Sequence, residues 1–103
     1  MTTLFWLLVA HALCDFPLQN DYLARAKSKW GGHAEWPWAL AAHALIQGGG
    51  VALVTGSVLL GIAEAAVHAA IDHVKCAGRI SYSDDQLLHV ACKVAWFAAL
   101  VLT

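Results

Sequence analysis

The chain has 103 residues, of which 60% are hydrophobic and 13% are charged, and its formal net charge is −1. About a quarter of a typical soluble domain is charged, so this composition excludes intrinsic disorder and disfavours a soluble monomer. The near-neutral charge also argues against nucleic-acid binding, which needs a basic surface, and the length predicts one domain, residues 1–103.

The first hydrophobic segment runs from Leu4 to about Leu23 and becomes polar after Asp15. Pro17 is expected to kink or tighten this helix, because proline lacks a backbone N–H. The segment has neither the basic start nor the small-residue cleavage site of a signal peptide, so we expect it to be retained. A polar stretch follows and is broken by the glycine pair at 31 and 32.

The second segment runs from Trp36 to about Val54, with Pro37 in its first turn, where proline is favoured. A short turn then leads into the third segment, Val58 to about Cys76. Three glycines at 48–50 would weaken a soluble helix, whereas in a membrane small residues let neighbouring helices approach closely.

The fourth segment is predicted to run from Asp84 to the C-terminus. Ser83 and Gln86 have the spacing of a capping box at its start. Asp84 and Asp85 suit the positive end of the helix dipole, and capping is therefore an alternative role for Asp85.

Three of the four segments have the length of about 20 residues that a membrane span needs, and the first has it only if its helix continues past Asp15. Basic residues of the loops occur only in the first and third connections. They are Arg25, Lys27, Lys29, Lys75 and Arg79. By the positive-inside rule these loops face the cytoplasm and both termini face outward. The sequence thus predicts an all-α fold, a four-helix transmembrane bundle in contact with membrane lipids, with a homo-oligomer left open.

Every segment carries polar side chains spaced four residues apart, which places them on one helix face. They are His11, Asp15 and Gln19; His43 and Gln47; Glu64, His68 and Asp72; and Asp85, His89 and Lys93. Ionisable residues within membrane spans normally face the interior of a bundle. We therefore expect the four stripes to face one another.

The third and fourth segments are antiparallel, so residues equally far from their shared loop lie at one level. This pairs Asp72 with Asp85, His68 with His89, and Glu64 with Lys93. On the first two segments, Asp15 and His43 are expected near the level of these pairs. The Glu64–Lys93 pair is interpreted as a structural ion pair.

Imidazole and carboxylate groups from facing helices predict a site for one or two divalent ions, Zn²⁺, Mn²⁺ or Fe²⁺. The candidate ligands are His11, Asp15, His43, His68, Asp72, Asp85 and His89. Asp15 and Asp85 are also candidate catalytic groups. Gln19, Gln47, Gln86 and Lys75 are candidate supporting residues. His33 and His73 fall outside the stripes, and Cys14 and Cys92 are interpreted as packing residues.

The stretch from His11 to Gln19, HALCDFPLQ, resembles the opening signature of an uncharacterised family of small membrane proteins from bacteria and phages, domain of unknown function 3307. Further similarities are Lys27 or Lys29, His43, His68 with Asp72 and Lys75, and Asp85-Gln86 with His89. The resemblance implies a multi-pass protein of the bacterial inner (cytoplasmic) membrane and implies no particular activity.

Three functions compete at this point. A metal-dependent hydrolase would act on a membrane-associated substrate at the cytoplasmic leaflet, with the ion activating water. A proton or metal-ion pathway would use the stripes as a relay, although the stripes end at Glu64 and Lys93. A structural or regulatory protein would use them only to fix helix register. Metal content separates the last from the first.

Overall fold

The computed structural model describes residues 2–102 and is all-α, as the sequence predicts, with no strand in that range. Its five helices are α1 (Thr2–Asp15), α2 (Asp21–Ala26), α3 (Trp36–Thr55), α4 (Val58–Cys76) and α5 (Tyr82–Leu102). The four longer helices form a bundle, and the described chain is elongated, with extents of 42 × 22 × 21 Å.

The first segment is shorter than the sequence predicts, because α1 ends at Asp15 and does not continue to Leu23. Pro17 cannot donate a backbone hydrogen bond, and the chain turns before Asn20 caps the separate helix α2 by accepting from the Leu23 amide at 2.8 Å. A hydrogen bond from the Tyr22 hydroxyl to Glu35 joins α2 to the end of the loop that follows it. This bond raises the pKa of Tyr22. The turn places Asp15 at the end of α1, beside the polar segment.

Helices α3 and α4 form a tight hairpin. Gly56 ends α3 with a positive φ of 72°, and the Ser57 side chain caps α4. Gly48 and Gly61 then allow the two backbones to meet, since a methyl group on Gly48 would lie 2.5 Å from the Gly61 carbonyl oxygen. The expectation that the glycine run permits close helix approach therefore holds at Gly48.

Helix α5 begins two residues earlier than predicted and uses a different capping box. Ser81 Oγ accepts from the Asp84 amide at 3.0 Å, and the Asp84 carboxylate accepts from the Ser81 amide at 3.4 Å. The Ser83–Gln86 box is therefore wrong. Asp85 does not cap the helix: it is 1% exposed and faces the interior.

The polarity of the interior and the surface is reversed relative to a soluble domain. Side chains of tryptophan, phenylalanine and leucine are exposed on every long helix, among them Trp6, Trp38, Leu53 and Leu59. The buried polar and charged residues are His11, Asp15, Lys27, His43, Gln47, Glu64, His68, Asp72, Asp85, His89 and Lys93. They outnumber the buried hydrophobic residues, so hydrogen bonds and ion pairs hold much of this interior together.

Within residues 2–102, two helices are long and apolar enough to cross a membrane, α3 and α5. Helix α1 has 14 residues, a length of about 21 Å at 1.5 Å per residue. Helix α4 has 19 residues but carries three charged side chains, Glu64, Asp72 and Lys75. The sequence predicts four spans, and by length and composition two of the described helices, α3 and α5, qualify.

Candidate metal centre

The four long helices bring seven predicted ligands into one buried region, here called the His/Asp cluster. Its members are His11, Asp15, His43, His68, Asp72, Asp85 and His89, and each is 8% exposed or less. The pairs expected from the antiparallel geometry meet: the rings of His68 and His89 stack with centroids 4.0 Å apart. Lys93 Nζ lies 2.8 Å from Glu64 Oε1.

Two imidazole nitrogens and two carboxylate oxygens of the cluster lie close together. His43 Nε2 lies 3.1 Å from Asp15 Oδ1 and 3.3 Å from Asp72 Oδ2. His68 Nε2 lies 3.8 Å from Asp15 Oδ1, 3.5 Å from Asp72 Oδ2 and 3.1 Å from His43 Nε2. A tetrahedral ion with bonds of about 2.0–2.1 Å holds its ligand atoms about 3.3–3.4 Å apart. The distances from the two imidazole nitrogens to each other and to the two carboxylate oxygens, 3.1–3.8 Å, are near this value. These four atoms are here called the first position.

The second carboxylate oxygen of Asp72 belongs to a neighbouring group, here called the second position. His89 Nε2 lies 3.5 Å from Asp72 Oδ1 and 3.3 Å from Asp85 Oδ1. His89 Nε2 and Asp85 Oδ1 are buried, face each other and make no hydrogen bond. Together with Asp72 they form a group that could hold a metal ion. Asp72 joins the two positions through its two oxygens.

Glu64 orients one of the imidazoles from behind. Its Oε2 lies 3.0 Å from His68 Nδ1. In a neutral ring this contact favours the tautomer that donates from Nδ1, and the lone pair of Nε2 then faces the first position. Lys93 and Trp96 both donate to the other oxygen, Oε1, at 2.8 Å. Glu64 is thus fixed by three hydrogen bonds. A carboxylate that accepts from the second ring nitrogen is the usual support of a metal-binding histidine.

Two glutamines fix the carboxylate of Asp15. Gln47 donates to Oδ1 at 3.0 Å and Gln86 donates to Oδ2 at 2.9 Å. Gln86 also lies 3.2 Å from His11 Nε2 through its Oε1. His11 Nε2 contacts Gln86 and lies 3.7 Å from Asp15 Oδ2. In this arrangement it orients Asp15 and Gln86.

Lys27 belongs to the buried interior, whereas the sequence predicts it only as a basic residue that marks the first loop as cytoplasmic. Lys27 is 2% exposed, and its Nζ lies 2.9 Å from Asp72 Oδ2. It also donates to Gln19 Oε1, while Gln19 Nε2 donates to the Asp15 carbonyl at 3.1 Å. Gln19 therefore supports the cluster through Lys27. A basic residue at this position of the family pattern was the available signal.

Lys75 lies away from the cluster. Its Nζ is 5.8 Å from the centroid of the Tyr82 ring, and its side chain is half-buried. The physical reason is its place on α4, three residues beyond Asp72 and at the helix end, where the side chain reaches the ring that begins α5. Within the described residues, the contact of Lys75 is with Tyr82, so no contact with the cluster supports the role predicted for it.

Carboxylates outnumber ammonium groups in the interior. Asp15, Glu64, Asp72 and Asp85 face the ammonium groups of Lys27 and Lys93. When the histidines are neutral, the form in which they bind metal, the negative charges exceed the positive ones by two. Buried charge is costly unless it is compensated, and one divalent cation would compensate it fully. Residues of the cluster could therefore hold a divalent ion.

Comparison with known proteins places the chain in a family without giving it an activity. No curated protein and no solved structure matches the chain. The family resemblance seen in the sequence is confirmed: the chain belongs to the family described as Protein of unknown function (DUF3307), whose model matches residues 3–103.

Proposed function

We propose that this protein is an integral membrane protein that holds one divalent transition-metal ion, Zn²⁺, Mn²⁺ or Fe²⁺, inside its helix bundle. The observation that carries the proposal is the first position, where the Nε2 atoms of His43 and His68 lie 3.1 Å apart. Oxygens of Asp15 and Asp72 lie 3.1–3.8 Å from these two nitrogens. These donor types suit all three ions. The uncompensated negative charge of the interior favours a single ion.

The membrane part of the proposal is supported by the reversed polarity of the fold. An apolar surface over a polar interior is stable against lipid and costly against water. The charges of α4 need not oppose insertion, because Glu64 is paired with Lys93 and Asp72 with Lys27. We propose a four-helix bundle of the bacterial inner membrane, with lipids as partners, basic loops in the cytoplasm and both termini outside.

Leu45→Arg is expected to release the protein from the membrane. Leu45 lies in the middle of α3 and is 67% exposed. An arginine there would cost about 2.5–3.5 kcal/mol of insertion free energy in a bilayer, whereas on a water-facing surface the change would stay within about 0.5 kcal/mol. The measurement is the fraction retained in membrane pellets after an alkaline carbonate wash. Wild type and Leu45→Ala should be retained. A wild type found in the wash would contradict the membrane assignment.

Hydrolysis of a membrane-associated substrate is the reaction that such a centre supports best. A bound divalent ion lowers the pKa of its water toward about 7. The water would take the fourth place beside Asp15, His43 and His68, or a fifth place if Asp72 also binds the ion. Both oxygens of Asp15 accept hydrogen bonds from glutamines, so Asp15 is suited to holding the ion. Asp85 Oδ1 has no partner and is the better general base. A substrate would approach from the side of His11 and Gln86, where α1 and α5 meet and Gln86 is half-buried.

The experiment that tests the proposal is metal analysis of protein purified in detergent. Wild type is expected to contain about one equivalent of a divalent transition metal, and the double variant His43→Ala/His68→Ala about none, because it loses both imidazole ligands of the first position. His33→Ala is the matched control, since His33 pairs with Glu35 in a loop. A metal-free wild type, together with a double variant that folds equally well, would leave the polar interior a role in helix register alone.

A further inference from the structure

The geometry assigns Lys27 a second role, which rests on the proposed metal centre. We propose that the ammonium group of Lys27 limits the bundle to one divalent ion, and that the second position, Asp72, Asp85 and His89, binds another ion when this charge is removed. The juxtaposition that carries the inference is a buried lysine on the carboxylate shared by two groups of ligand atoms.

Lys27 is held in the cluster by its neighbours. It follows directly after α2, as the residue that ends this helix. Its Nζ contacts Asp72 Oδ2, the oxygen that also lies 3.3 Å from His43 Nε2 and 3.5 Å from His68 Nε2. Gln19 accepts a second hydrogen bond from the same ammonium group. The charge is therefore a fixed component of the interior, at the edge of the first position.

The second position has ligand atoms in place. Asp72 Oδ1, Asp85 Oδ1 and His89 Nε2 lie within 4.8 Å of one another. His89 Nε2 and Asp85 Oδ1 face each other at 3.3 Å and make no hydrogen bond, and imidazole and carboxylate groups are both ligands of divalent ions. The donor atoms themselves therefore do not explain a preference for a single ion.

Charge explains that preference. With the histidines neutral, as metal ligands are, one divalent ion in the first position balances the excess of two negative charges, and a second ion would then leave two positive charges buried. Without the Lys27 ammonium, the interior carries three negative charges. One ion leaves one negative charge and two ions leave one positive charge, so the two states become comparable. Removal of one side-chain charge should thus make the second position accessible to an ion.

The experiment is metal titration of detergent-purified full-length protein, with Zn²⁺ or Mn²⁺ as the probe and equilibrium dialysis as the readout. Lys27→Met is expected to raise the bound metal from about one equivalent to about two. Lys27→Arg keeps the charge and should stay at one, as should Lys29→Met, which removes an exposed loop lysine. Lys27→Gln, which keeps polar contacts to Asp72 and Gln19, should reach two and replaces Lys27→Met if that variant does not fold.

The outcomes separate this inference from the proposed function. A wild type that binds two ions, or Lys27 variants that bind one with unchanged affinity, would overturn the role of Lys27 and leave the metal centre standing. A wild type that binds none would remove both. A second ion that also appears in Lys29→Met would mean that surface charge sets the stoichiometry, which contradicts the inference.

Discussion

Lys93→Met is expected to lower the free energy of unfolding by about 3–5 kcal/mol, because it leaves a buried carboxylate without its counter-charge. Lys93 is fully buried, and its Nζ lies 2.8 Å from Glu64 Oε1. The remaining partners of Glu64, Trp96 and His68, offer hydrogen bonds without a permanent charge. Chemical or thermal unfolding in detergent measures the loss.

The double variant Glu64→Gln/Lys93→Met removes the stranded charge and should recover most of that loss. A double-mutant cycle then gives a coupling energy between the two sites, which is expected to be large since they are in direct contact. Lys29→Met serves as the control, because its side chain is exposed and its removal should change stability by less than about 0.5 kcal/mol. If Lys93→Met were no more destabilised than this control, the ion pair would not support the fold.

The polar stripes and their levels could be predicted because they depend on local geometry. Side chains four residues apart share a helix face whatever the surroundings, and a short loop fixes the relative height of two antiparallel helices. The meeting of His68 with His89 and of Glu64 with Lys93 follows from these two facts alone. The helix rise of 1.5 Å per residue leaves little freedom once the α4–α5 loop is placed.

The features that were wrong or missed depend on tertiary contacts. Two overlapping capping boxes stand at the start of α5, Ser81–Asp84 and Ser83–Gln86. The structure uses the first, which frees Gln86 to donate to Asp15 inside the bundle. The burial of Lys27 likewise requires the chain to turn back after Asp15, and no local pattern distinguishes such a lysine from one that only marks a cytoplasmic loop.

Asp72→Asn is expected to lower metal affinity by more than about 100-fold, beyond what the loss of an outer partner costs. Asp72 contributes one oxygen to each position, so the substitution weakens both and removes a negative charge from beside Lys27. Asp84→Asn is the matched control, since it removes the same charge from an exposed residue in the first turn of α5.

The measurement that tests the metal centre most directly is competition for the ion with a chelator of known affinity. It compares wild type, Asp72→Asn and Asp84→Asn in detergent. The account predicts that wild type and Asp84→Asn hold the ion equally well and that Asp72→Asn gives it up. Equal affinity in all three proteins would show that the ion binds elsewhere than between the facing histidines and aspartates of the bundle.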